Sequence, residues 1–248
     1  MWKQFDKLYF IGPSSLGDAF VYSAIVHYYA ERCNELHYPI IPQYADTLTS
    51  LYKDVNNIIP IIFPSDKLQD IYLFEQEYCN NNCLSKILRP PIYADYSYIF
   101  NTYIPYMWDE QIYTLLELPF EIRYKNFRLP KNLDSANKLY NSLVSNNEKY
   151  ILVHTGSSER IDGYAIEIST DKKVIDLTKP LSNNMLDYVY LIQNAEEIHC
   201  VPSAFYCLVD SIYNQTKGNL YYHDVRSSTI INVNKVWNNT PWKIIKYK

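Results

Sequence analysis

Short apolar runs and helix-spaced apolar sets alternate along much of the chain. Residues 7 to 12 (Lys-Leu-Tyr-Phe-Ile-Gly) predict a buried strand, and the small, polar stretch from Gly12 to Asp18 ends it. From Asp18 to about Cys33, Ala19, Phe20, Ala24, Ile25, Tyr28 and Tyr29 recur at helical spacing, with Glu31 and Arg32 near the end. The pattern then predicts a strand over 37–42, a helix over 45–52 and a strand over 58–63. Between Ser65 and Asn126 the chain is aromatic and less regular; helices are predicted over 67–79 and 107–116, and Pro90, Pro91 and Pro130 punctuate it. A helix over 133–144 leads through polar Ser145 to Glu148 into a strand over 150–154. The remainder reads as a strand over 173–177, a helix over 183–193 capped by Ser182 or Asn183, a strand over 197–201, a helix from a Ser203 cap to Ser211, and strands over 220–223 and 242–247.

This alternation predicts an α/β fold, because parallel strands need crossover connections and helices supply them. A polar break around 129–147 separates two unequal halves, taken as 1–135 and 136–248. Ligands of parallel sheets bind beyond the carboxyl ends of strands, so the loops 12–18 and 155–160 and the strand-to-helix step at 202–204 are where a site is expected.

Composition narrows the picture. The 248 residues are 48% hydrophobic, enough to fill a sizeable core. There is no run of 18 uncharged apolar residues, and the first 25 residues lack the pattern of a signal peptide, so no transmembrane segment and a cytoplasmic location are expected. The odd set Cys33, Cys79, Cys83, Cys200 and Cys207 has the look of reduced thiols. A net charge of −4 disfavours stable nucleic-acid binding. The chain has only five glycines, and four of them (Gly12, Gly17, Gly156, Gly163) lie in or beside the two candidate loops, where a turn or a close ligand requires them.

The first loop offers Gly12, Ser14, Ser15, Gly17 and, at the start of a helix, Asp18. A helix N-terminus attracts anions, and a carboxylate there can act as a general base or simply complement the helix dipole. Gly-x-x-x-x-Gly without a following lysine is not a P-loop, there is no Gly-x-Gly-x-x-Gly run, and no Gly-x-Ser-x-Gly elbow occurs. The second loop combines His154, Thr155, Gly156, Ser157, Ser158 and Arg160, groups suited to phosphate oxygens or to a polar surface turn. Ser203 and Ala204 start a helix, with an anion site or an ordinary cap as the two readings. Cys33-x-x-x-His37 and Cys79-x-x-x-Cys83 are too far apart in sequence to predict zinc, and no metal is expected.

Taken together, Ile11-Gly12-Pro13-Ser14-Ser15-Leu16-Gly17-Asp18-Ala19, Tyr150 to Ser158 and Ala195 to Phe205 resemble the heptosyltransferase-like family of GT-B glycosyltransferases. The resemblance implies two Rossmann-like lobes, parallel sheets with helices on both faces, and a small second lobe. It implies a nucleotide-sugar donor, an unidentified acceptor deprotonated by Asp18, and no cofactor. Thr155, Gly156, Ser157 and Arg160 would surround the diphosphate, and Ser203 and Ala204 would hold it from a helix N-terminus. Val201-Pro202 stands where the family commonly has an acidic residue, and Arg160 replaces a lysine of the second loop. A nucleotide-sugar binding protein without catalysis and a nucleotide-sugar epimerase are the alternatives. Tyr103, Tyr106 and Trp108 are aromatic groups suited to an acceptor cleft or to core packing.

Overall fold

The computed structural model describes residues 5–10, 15–65, 67–82, 84, 86–88, 108–146, 148–225 and 241–247. It divides into two compact units, Met1–Lys131 and Asn132–Lys248.

In the first unit, β1 (Phe5–Phe10), α1 (Leu16–Ala30), β2 (Cys33–Ile40), α2 (Ala45–Tyr52), β3 (Ile58–Ile62), α3 (Leu68–Asn81) and β4 (Lys86–Leu88) alternate, and the strands form a parallel sheet of order β3-β2-β1-β4. Two further helices follow, α4 (Trp108–Leu115) and α5 (Ile122–Lys125). Helix α1 is buried on nearly every side, from Asp18 without a break to His27, because β2 and α5 pack around it. That burial explains a helix rich in Ala, Val, Ile and aromatics with no polar stripe. It also leaves His27 uncharged: burial first, then the nearby Arg128 guanidinium, lowers its pKa to about 4.

Several buried polar groups inside this unit are paired. The Tyr113 hydroxyl donates to the Val21 carbonyl at 2.9 Å. Arg123, 2% exposed, forms a buried ion pair with Asp109 on α4. On the opposite side of the sheet, His37 bonds Glu35 at 3.1 Å and the Tyr78 hydroxyl of α3 at 2.6 Å.

The second unit contains α6 (Asp134–Leu143), β5 (Tyr150–His154), β6 (Lys173–Asp176), a 3₁₀ turn (Met185–Tyr188) running into α7 (Val189–Asn194), β7 (Glu197–Cys200), α8 (Ala204–Ser211), β8 (Asn219–Asp224) and β9 (Trp242–Lys246). Its five strands are parallel in the order β6-β5-β7-β8-β9. One sheet face packs on α7 and α8. Tyr150 donates to the Leu191 carbonyl at 2.8 Å, and Trp242 Nε1 donates to buried Asp210 of α8 at 2.9 Å. The Tyr206 ring lies against Tyr222 and Trp242, each at 5.1 Å between centroids.

Several boundaries differ from the sequence reading for identifiable reasons. Helix α1 begins at Leu16, two residues before Asp18, because Ser15 is its N-cap. Strand β2 begins at Cys33, where it pairs with Phe5 of β1. The helix expected over 183–193 starts instead as a 3₁₀ turn, whose first free N–H, that of Leu186, is taken by the Asn184 side chain at 3.0 Å.

Removing one partner of a buried ion pair leaves the other charge uncompensated. Asp109→Ala is therefore expected to lower unfolding stability by about 3–5 kcal/mol, measured by urea denaturation, whereas Asp109→Leu combined with Arg123→Met is expected to recover most of it. A loss below about 1 kcal/mol in the single variant would show that solvent already screens the pair.

Candidate functional site

Parallel sheets leave a crevice where successive connections run to opposite sides, at the carboxyl ends of the strands. In the second unit that point lies between β5 and β7, since the chain leaves β5 toward β6 on one side and continues from β7 toward β8 on the other. In the first unit it lies between β1 and β4.

The first-unit candidates come from the β1–α1 connection. Gly12 and Ser14 lie outside the described residues. Ser15 is the extended N-cap of α1, Gly17 occupies the second helical position and Asp18 the third. The Ser15 hydroxyl donates to Asp18 Oδ2 at 2.7 Å, and the Asp18 N–H donates to Ser15 Oγ at 3.2 Å. This is a reciprocal capping arrangement. Asp18 is only 4% exposed. Behind it the Tyr38 phenol is held neutral: burial first, then Tyr52 and Tyr22, and last the Asp18 charge, push its pKa far up. The site thus holds a carboxylate that accepts from the Ser15 hydroxyl at the positive end of a 15-residue helix.

The second-unit candidates gather at the ends of β5 and β7. The Val201 N–H donates to the His154 carbonyl at 3.2 Å, and the His154 ring stacks on Phe205 of α8 with centroids 4.8 Å apart and planes 12° from parallel. Through these two contacts the structure brings His154 and Thr155 beside Ser203 and Ala204. His154 is not a cation here, because burial lowers its pKa to about 4. The Thr155 N–H donates to Thr178 Oγ1 at 3.0 Å, and the two threonine hydroxyls are 2.9 Å apart. Thr178, which follows β6, is a site neighbour that sequence reading missed.

Other members of the second loop serve the loop itself. Ser157 and Arg160 exchange backbone hydrogen bonds at 3.0 and 3.1 Å, and Ser157 Oγ accepts from the N–H groups of Glu159 and Arg160 at 3.3 and 3.2 Å. Gly156 is closely packed, since a Cβ there would lie 3.3 Å from the Ile161 carbonyl oxygen. Ser158, Glu159, Arg160, Ile161, Asp162, Gly163 and Ala165 line an open depression of about 630 Å³. Arg160 is exposed, and its guanidinium sits 5.2 Å from the centre of the Tyr164 ring. The lining carries two carboxylates, Glu159 and Asp162, against this one guanidinium.

At the start of α8, Ser203 is the N-cap: its hydroxyl accepts from the Tyr206 N–H at 3.3 Å and donates to the Val201 carbonyl at 3.0 Å. Ala204 is the first helical residue. Tyr103 and Tyr106, and the side chain of Trp108, lie outside the described residues. Among the described residues, no group of three or more His, Cys, Asp or Glu side chains is placed to hold a metal ion.

No protein-family model matches the sequence, and no curated protein matches it. The fold is similar to the crystal structure of a glycosyl transferase family 9 protein from Veillonella parvula DSM 2008, with a TM-score of 0.65 and 10% identity over 100% of this chain and 87% of that one. The fold is that of the GT-B glycosyltransferases: two parallel sheets with helices, in α/β alternation.

Gly163 holds the second loop closed. Its φ is +90°, and a Cβ would lie 2.3 Å from Thr155 Oγ1. A left-handed backbone costs an ordinary residue about 1–2 kcal/mol before any steric term. Gly163→Ala is expected to lower the melting temperature by at least about 2–4 °C. An unchanged melting curve would mean that the Thr155–Thr178 contact does not hold this loop.

Proposed function

We propose that this protein transfers a sugar from a nucleotide-sugar to an acceptor hydroxyl without a metal ion. The observation that carries the reading is the carboxyl end of β5, where the His154 ring stacks on Phe205 near the start of α8 and the next residue, Thr155, pairs its hydroxyl with Thr178, within a GT-B fold. Backbone N–H groups at a helix start favour an anion and stabilise negative charge that develops on a departing diphosphate. Arg160 adds an exposed cation, and Ser158, on the same exposed turn, adds a hydroxyl.

In the reaction, Asp18 accepts the acceptor's hydroxyl proton. The acceptor oxygen forms a bond to the anomeric carbon as the bond from that carbon to the donor phosphate breaks. The electron pair leaves on the nucleoside diphosphate, so charge moves from base to leaving group. General-base catalysis of this kind contributes about 10²–10⁴-fold. Among the described residues no helix is long and apolar enough to cross a membrane.

A second reading, binding of a nucleotide-sugar without transfer, is favoured by the engagement of Asp18 in the α1 cap and by its burial. A thermal-shift screen against nucleoside diphosphates and their sugars tests the donor site, since ligand at about 100 times its dissociation constant adds about 2.7 kcal/mol. One nucleotide family is expected to stabilise the protein, and Arg160→Ala to weaken that response; silence across the whole panel would remove the donor site. Asp18→Asn is then expected to retain donor binding and lose turnover by about 10²-fold or more. Full activity in that variant would dismiss Asp18 as the base.

A further inference from the structure

A polar chain crosses the second sheet on the face opposite α7 and α8. His199 on β7 is 5% exposed and His223 on β8 is 0% exposed. His199 Nδ1 and His223 Nε2 are 2.9 Å apart, His223 Nδ1 lies 2.6 Å from the Tyr247 hydroxyl just after β9, and His199 Nε2 lies 3.4 Å from Glu197 Oε2. The His199 ring stacks on Tyr221, 4.4 Å between centroids and 4° from parallel, so it cannot rotate freely.

Donor and acceptor roles along this chain follow from its two ends. Glu197 is ionised, its pKa lowered chiefly by the hydrogen bond from Lys172 at 2.7 Å, so it only accepts. His199 must therefore present Nε2–H to Glu197, which leaves its Nδ1 as an acceptor. His223 fills that acceptor with its own Nε2–H, and its Nδ1 accepts from the Tyr247 hydroxyl. Both imidazoles are neutral in this arrangement. Every donor then points the same way, from Tyr247 toward Glu197.

Among the described residues, strand β9 is the edge of the sheet, joined to β8. Side chains pin it at both ends: Trp242 bonds Asp210 at the start, and Tyr247 bonds His223 at the finish. We propose that the Glu197–His199–His223–Tyr247 chain is a proton-sensitive latch, which holds the C-terminal end of β9 while both imidazoles are neutral and lets it go when they take up protons. A proton from water reaches His223 Nδ1 only when the Tyr247 hydroxyl has left it, and solvation of the resulting imidazolium then favours the open end of β9. A second proton at His199 Nδ1 sets N–H against N–H and breaks the bond between the rings.

Glu197 supplies a carboxylate to His199 and offsets part of its burial, whereas among the described residues no carboxylate bonds His223. Among the described residues the charges around the chain are Glu197 on β7, already shared with Lys172; Lys243 on β9, 5.0 Å from the Tyr221 ring centre; and Glu167, which acts on Tyr247. Burial lowers the pKa of His199, and burial followed by the neighbouring His199 lowers that of His223 to about 4. An imidazole whose folded pKa is depressed supports the closed state fully above its ordinary value, 6.5, and the support is lost as pH falls toward the folded value. Opening of the latch thus grows between about pH 6.5 and 4. The inference is independent of sugar transfer.

Hydrogen exchange of the full-length protein, read strand by strand between pH 7 and 5 and corrected for intrinsic exchange, tests the latch together with ¹⁵N-histidine NMR. The spectra are expected to show both His199 and His223 as Nε2–H tautomers at pH 7. Protection of the Lys243 to Lys246 amides is expected to fall at least about tenfold by pH 5, with β7 changing far less. Tyr247→Phe is expected to lower β9 protection already at pH 7 and to flatten its pH dependence. Trp242→Phe, which cuts the other pin, is expected to lower protection yet keep that dependence. An Nδ1–H tautomer at His223, parallel loss of protection in β7 and β9, or a Tyr247→Phe variant with the original pH dependence would each overturn the proposal.

Discussion

The ladder between β5 and β7, which pairs Ile151 with Glu197 and runs to His154 with Cys200, is the constraint on which the second unit depends. Because the chain leaves these two strands in opposite directions, their carboxyl ends stay uncovered by either connection. The Val201 N–H then closes on the His154 carbonyl, and α8 starts immediately beyond. A helix terminus, a hydroxyl pair and an aromatic stack are thereby assembled from residues that contribute little singly. The first unit solves the same problem with one loop, in which the cap of α1 and the candidate base are the same pair of side chains.

Hydroxyl groups do much of the internal fastening. The chain has 26 tyrosines, a count that on composition alone says nothing about binding. In the structure Tyr113 and Tyr150 bury their rings and spend their hydroxyls on the backbone carbonyls of Val21 and Leu191. Tyr188 uses its hydroxyl to receive the N–H groups of Leu181 and Ser182 at 2.9 and 3.0 Å. Each such ring adds apolar area and satisfies a polar group that would otherwise be stranded, so tyrosine here behaves as a core residue with a built-in connector.

Most strands and helices were legible because their apolar periods are local; α2 and β5 coincide with their expected spans. The start of α1 was misplaced because Gly17 reads as a breaker, although Ser15 and Asp18 already had the spacing of a capping pair. Thr178 was invisible beside Thr155, since 23 residues and a strand separate two hydroxyls that meet only when β5 and β6 pair. The same holds for His199, His223 and Tyr247, which are 24 residues apart at each step and come together through strand register alone. Loop chemistry was only half legible. The residue types in 155–160 suit an anion, but Ser157 is occupied in closing its own turn and His154 is uncharged.

The burial of α1 carries a consequence for how this chain can change. A helix with one exposed face can accept single replacements there without disturbing anything else. From Asp18 to His27 this helix offers no such face, so a change of volume at one position must be answered by a neighbour on β2 or α5. Among variants selected only for folding, accepted substitutions in this stretch would come as matched pairs, while the loops accumulated theirs one at a time.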